Sequence, residues 1–241
     1  MDGRSRWRIS RSISPSDPEG RGRGPAVRTA NANRIGLREH PGDHNIARSS
    51  VMEAIDALTK RVSGGVLVDP APDELELHSI LSAAVRAPDH GRLRPWRLIV
   101  LRGAARQRLG MLMGQVYRGR HPDATPAQIE KETNKPLRAP LIVVVAAKVN
   151  EQSHIPAIEQ ILSAGAAAQN VMVAAYALGF GCAWKTGEAA YDPEIKAAFG
   201  LAPTDAIVGF LYLGSNQNPP APLEPLDLSA YVVEWRDEES T

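Results

Sequence analysis

A chain of 241 residues, 43% of them hydrophobic, is long enough to bury a sizeable core. Its single cysteine, Cys182, excludes an internal disulfide framework and a cysteine-rich metal site, and no apolar run reaches the ~18 residues of a membrane span. The net charge of +1 is uneven: residues 1–48 hold ten arginines against five acidic residues, a balance of +5 that leaves −4 for residues 49–241, so the main body is a poor match for nucleic acid.

Residues 1–49 show no sustained hydrophobic period and are rich in Arg, Ser, Gly and Pro. Such a segment cannot bury enough surface to offset its chain entropy, and a disordered tail is expected. It reads as a disordered extension or as sequence upstream of a natural start at Met52. Its Arg- and Ser-rich composition also suits an organelle transit peptide, although its five acidic residues oppose that. There is no secretory leader pattern, and a lone cysteine fits a reducing compartment, so a cytoplasmic location is expected.

One domain is expected over residues 50–236. SSVMEAIDALTKR predicts a helix with Val51, Ile55 and Leu58 on one face and Ser49 or Ser50 as cap. VSGGVLVDPAPD is turn-rich. PDELELHSILSAAVRAPDH predicts a second helix, capped by Asp73, buried through Leu77, Ile80, Leu81 and Ala84, and ended by Pro88. WRLIVLRG is a strand, AARQRLGMLMGQVYRG a helix, and the polar stretch to Arg138 part helix and part loop. APLIVVVAAKV is the strongest strand, apolar enough for burial on both faces. Residues 155–178 predict a long helix of small residues, buried nearly all round. GFGCAWKTGEAAYD reads as a glycine-bearing loop, with Gly179 at the left-handed C-cap position. DPEIKAAFGL is a short helix capped by Asp192, AIVGFLYLG a strand, and AYVVEW a modest strand-like piece. Irregular alternation of this kind predicts an α+β domain, a central sheet packed by helices.

Three segments carry candidate chemistry. Lys60-Arg61-Val62-Ser63-Gly64-Gly65 offers a planar guanidinium, a hydroxyl and close backbone approach, as a phosphate cradle would, although a basic helix C-terminus has the same composition. Arg86–Trp96, RAPDHGRLRPW, sets Arg86, His90, Arg92 and Arg94 against one acid, Asp89. It is either a solvated loop or a surface for an anion, because clustered like charges repel unless something screens them. Gly179–Gly187 could turn backbone N–H groups toward a flat ring, or simply cap a helix. Cys182 has no His or acid close in sequence to activate it, Ser153 and Ser163 lack a nucleophile-elbow context, and the six histidines form no metal-binding pair.

Taken in order, MEAIDALTKRVS, LVDPAP, ILSAAVRAPDHGRLRPWRLIVLRG, RAPLIVVVAAK, EQILSAGAAAQNVMVAAYALGFGCAWKTG and IVGFLYLG resemble the nitroreductase family of flavoproteins, in its minimal single-domain bacterial branch. The resemblance runs from about Met52 to Gly214, with R-A-P-D-H followed by P-W as its most specific element. It implies a mixed or antiparallel sheet packed by helices and an intertwined homodimer with FMN at the subunit interface. Arg61, Val62 and Ser63 would meet the flavin from one subunit, and Arg86 and His90 from the other. Trp184, Lys185 and Thr186 would lie along the ring, and the small-residue helix would form the dimer core. Two departures stand out. Val62 occupies a position where relatives often carry a second arginine. GSNQNPPAPLEP offers no cation after the last strand, leaving the phosphate to Arg61, Ser63 and the Arg86–Arg94 loop.

The implied activity is an NAD(P)H oxidoreductase. Hydride passes by a ping-pong route from NAD(P)H through flavin N5 to a nitroaromatic, a quinone or a similar electron-poor acceptor. No side chain is assigned as a catalytic acid, and no metal, nucleic-acid or membrane partner is expected. The alternatives are a flavin-binding sensor or storage protein without turnover, and a related flavin reductase, dehalogenase or double-bond reductase.

Overall fold

Strand β3 (Leu141–Ala147) is buried along its whole length. The computed structural model describes residues 52–235, so the expectations for residues 1–49, for Val51 and for capping by Ser49 or Ser50 lie outside the described residues. β3 pairs antiparallel with β2 (Trp96–Arg102) on one side and with β5 (Ala206–Asn216) on the other. β5 also pairs antiparallel with β4 (Gly181–Lys185) and with the two-residue β1 (Leu67–Val68).

Side chains alternate across the pleat, so each strand feeds two cores. Leu141, Val143, Val145, Ala147, Leu211, Leu213 and Cys182 pack with the helices α2 (Glu74–Ala84) and α5 (Ala157–Ala177). Ile142, Val144, Ala146, Phe210 and Tyr212 face a second cluster that includes Leu109 and Met113 of α3 (Ala104–Arg120) and Ile195 of α7 (Pro193–Ala198). Helices therefore cover both faces of an antiparallel sheet, which is why β3 reads as an unbroken apolar run. The remaining helices are α1 (Ala54–Lys60), α4 (Pro126–Asn134) and α6 (Glu188–Tyr191).

Most sequence expectations hold locally. Asp73 caps α2 in a full capping box with Glu76. Asp192 accepts from the N–H groups of Glu194 and Ile195 at the start of α7. Gly179 (φ 87) ends α5, with its N–H on the Tyr176 carbonyl and the Phe180 N–H on the Ala175 carbonyl, the Schellman pattern. α4 lies close on α3 because Gly110 and Gly114 make room: a Cβ at either would come within 2.1 Å of Thr133.

Five expectations need correction. α1 starts at Ala54 with Glu53 as its cap, and it buries Ala57 while Ile55 and Leu58 stand 69% and 54% exposed. α2 stops at Ala84, ahead of Pro88, because the chain tightens into i→i+3 bonds at Arg86 and Ala87. α5 is not buried all round: Ile158 and Leu162 are 59% and 64% exposed, and a Cβ on Gly165 would meet nothing. The segment read as a loop after Gly179 contains β4, whose edge pairing to β5 overrides its glycines. AYVVEW forms no strand: it joins no sheet among the described residues, and Tyr231, Val232, Val233 and Trp235 are exposed.

Candidate functional site

Beyond Lys60 the chain extends from Arg61 toward Gly64. The Gly64 N–H donates to the Cys182 carbonyl at 2.8 Å, and the Gly65 N–H donates to Asn216 Oδ1 at 3.3 Å. A Cβ on Gly64 would lie 2.7 Å from Leu67 Cδ2 and 3.1 Å from the Cys182 nitrogen. Glycine is what lets this segment seat against β4. Arg61 and Val62 are half-buried and Ser63 is exposed. Arg61 Nε and Nη1 are buried without a hydrogen-bond partner among the described residues. Burial pushes the neighbouring Cys182 thiol up to about 12, partly opposed by the positive charge of Arg61. A buried thiol of that kind is not a nucleophile near neutral pH.

Trp184 and Lys185 lie on β4, the same strand that holds Gly64, and Thr186 follows directly after it. The Trp184 indole is half-buried on the sheet, its Nε1–H donating to the Val208 carbonyl at 3.1 Å. A Cβ at Gly209 would lie 2.2 Å from that nitrogen, so Gly209 is the floor on which the ring rests. Lys185 and Thr186 are exposed, and Gly187 (φ 111) turns the chain into α6. The turn is braced from the far end of α3 by His121 Nε2 and Glu188 Oε2 at 3.0 Å and by an Arg120–Asp192 ion pair.

The Arg86–Trp96 loop is built differently. Gly91, Arg92 and Arg94 all have left-handed backbones, with φ of 67, 55 and 50. For the two arginines this stores roughly 1–2 kcal/mol each. Asp89 Oδ2 accepts from the Arg94 N–H at 2.7 Å and helps hold the bend. α5 holds the rest: Ser163 Oγ donates to the Pro88 carbonyl at 2.6 Å and Glu159 Oε2 meets His90 Nδ1 at 2.6 Å, while Asn170 Nδ2 donates at 3.0 Å to the Ala83 carbonyl in the last turn of α2, ahead of the loop. Arg86 and His90 are exposed.

The fold thus gathers Arg61, Val62 and Ser63 with Trp184, Lys185 and Thr186. It does not bring His90 to the Arg61–Gly64 segment, which sits on the start of β4, within one chain. His90 is tied to the first turn of α5, while β4 leaves the last turn, where Phe180 bonds Ala175. Residues 159 and 175 are separated by about 24 Å of helical rise.

The sequence profile of the nitroreductase family matches residues 67–215. This chain belongs to the nitroreductase family. Among curated proteins it is 41% identical over 168 residues to the Escherichia coli K12 protein named "Putative NAD(P)H nitroreductase YdjA", covering 69% of this chain and 90% of that one. Among solved structures, a nitroreductase-like family protein from Bacillus cereus superposes with a TM-score of 0.66 at 22% identity, covering 79% of this chain and all of that one. A variant of the FMN- and NADPH-dependent nitroreductase NfnB from Sphigopyxis sp. strain HMH gives a TM-score of 0.61 at 21% identity, covering 77% of this chain and 100% of that one.

Within this family member, sequence reasoning missed Glu159, Ser163 and Asn170. Their signal was present as polar positions i, i+4 and i+11 of a largely apolar helix that also carries Gln160 and Gln169, a spacing that puts all three on one face. Ser163, set aside as a nucleophile, anchors the loop.

Proposed function

We propose that this protein is an FMN-dependent NAD(P)H oxidoreductase that works as a homodimer with the flavin between subunits. Arg61 carries the assignment. Two of its buried nitrogens have no acceptor among the described residues, and an unsatisfied buried donor is destabilising by roughly 1–3 kcal/mol, more when charged. FMN presents acceptors of the required kind at its phosphate, its ribityl hydroxyls and the pyrimidine edge of its ring, so the residues present fit this group.

Arg61 and Ser63 supply donors from one subunit, with Val62 packing beside them. The β4 backbone around Trp184, Lys185 and Thr186 lies along the ring, and Arg86 and His90 of the partner close the site. Positive charge at Arg61 favours the electron-rich, reduced state of the ligand, as preorganised donors do for developing negative charge. When bound, FMN supplies the redox chemistry, and the chain supplies binding, orientation and electrostatics. Donor nicotinamide and an electron-poor acceptor, such as a nitroaromatic or quinone, use one open face in turn.

The homodimer rests on apolar surface left open by the single chain. Ile55 and Leu58 of α1, Ile158 and Leu162 of α5, and Leu226 and Trp235 near the C-terminal end are all exposed, the signature of a protein–protein interface. Among the described residues no helix is long and apolar enough to cross a membrane, and we assign the protein to the cytoplasm.

A visible spectrum of the purified protein with anaerobic NADH and NADPH titrations tests the function. Flavin absorbance bleached by either nucleotide is the expected result. Bound flavin bleached only by dithionite would favour a storage or sensor protein, and failure to take up FMN would end the assignment.

A further inference from the structure

We propose that Glu159 is a positioning residue for the flavin site, acting through His90; this rests on His90 being a flavin contact. Glu159 and Ser163 stand four residues apart on α5 and grip the same loop, one at the His90 ring and the other at the Pro88 carbonyl. Between these anchors the loop has little freedom. Gly91 lies so close to Ile155 that a Cβ would come within 2.3 Å of its Cδ1.

The ring itself is the exception. His90 is exposed, with 62% of its side chain accessible, and apart from Glu159 no hydrogen-bonding partner fixes its rotation among the described residues. The 2.6 Å contact between Nδ1 and Glu159 Oε2 makes Nδ1 the protonated nitrogen and turns Nε2 away from α5, free for a ligand. As an exposed hydrogen bond it adds little to stability. Its consequence is orientation: a carboxylate on a rigid helix sets the tautomer and direction of an imidazole on a loop, the same division of labour as a carboxylate behind a metal-bound histidine.

The test is a double-mutant cycle on FMN affinity, read by flavin fluorescence quenching as FMN is added to full-length apo-protein. His90→Ala and Glu159→Ala are each expected to weaken binding by about tenfold. Glu159→Ala is expected to add nothing in the His90→Ala background, the coupling expected of residues that act in series. Imidazole 15N shifts of apo-protein provide a readout independent of turnover: the Nδ1–H signal of His90 is lost in Glu159→Ala and retained in Glu159→Gln, which keeps an acceptor. Should Glu159→Ala fold poorly, Glu159→Leu replaces it in the cycle.

Equal damage by Glu159→Ala with and without His90 would overturn the proposal in favour of a structural role for Glu159. So would unchanged affinity in Glu159→Ala while His90→Ala binds weakly, and that result would leave His90 as a flavin contact. Unchanged affinity in His90→Ala would remove His90 from the site and the proposal with it, while wild-type protein that binds no FMN would remove the proposed function itself.

Discussion

The two parts of the proposed site are held by opposite means. The Arg61–Gly65 segment is fixed to the sheet through its own main-chain N–H groups, Gly64 on the Cys182 carbonyl and Gly65 on the Asn216 side chain, and its half-buried Arg61 holds two nitrogens with no acceptor among the described residues. The Arg86–Trp96 loop is held to α5 by side chains, Glu159 and Ser163, with Asp89 bracing it from within. The first part is preorganised and under electrostatic tension. The second is exposed, strained and adjustable one side chain at a time. Main-chain fixation suits the group that must stay still against a cofactor, and side-chain fixation suits a loop that completes the site on assembly.

The largest expected effect is on the fixed part. Arg61→Ala should weaken FMN binding by about a hundredfold, the scale of a hydrogen bond to a charged group. It should leave the apo-protein as stable or more so, since it removes a buried unpaired charge. Flavin titration and thermal unfolding of one preparation measure both, and a large loss of apo-protein stability would mean that Arg61 is structural. Next, Leu162→Asp on the open stripe of α5 should turn the dimer into a monomer in sedimentation and abolish flavin retention, because it severs the two parts. A dimer that survives would place the interface elsewhere.

Gly209→Val separates the sheet from the ligand. It drives a side chain into the Trp184 indole and should cost about 2 kcal/mol, as overpacking does, read as a lower Tm. Ser163→Ala acts on the adjustable part alone. It should lose about 1 kcal/mol and speed amide exchange at residues 89–94 while leaving Gly64 protected. The smallest effect concerns Cys182. With burial holding its thiol at about 12, the thiolate forms only as pH approaches that value. Native protein at pH 8 should therefore resist iodoacetamide until it unfolds, and rapid labelling would contradict the packing around β4.

The difference between the parts also explains what could be read from sequence. The second part was legible because charge clustering in Arg86–Arg94 is a property of neighbouring residues. The strands at 96–102, 141–147 and 206–216 were legible because apolar runs report burial. β4 was not, since Gly181–Lys185 is a strand through its pairing with β5, a contact with a distant segment that no local pattern encodes. The spacing of Ile55 and Leu58 put them on one helix face, which reports that the face is apolar but not what covers it, and both stand exposed. Arg61 was selected as a cation beside glycines, yet its buried, partnerless nitrogens follow only from the approach of Cys182.

Mixing Arg61→Ala subunits with His90→Ala subunits tests the central claim, that one flavin draws on both parts from different copies. After dissociation and reassociation, random pairing gives mixed dimers with one intact and one doubly damaged site, and tight FMN sites should return to about a quarter of the total. If both parts served the flavin from the same chain, every site would remain damaged, and no tight binding would return at any mixing ratio.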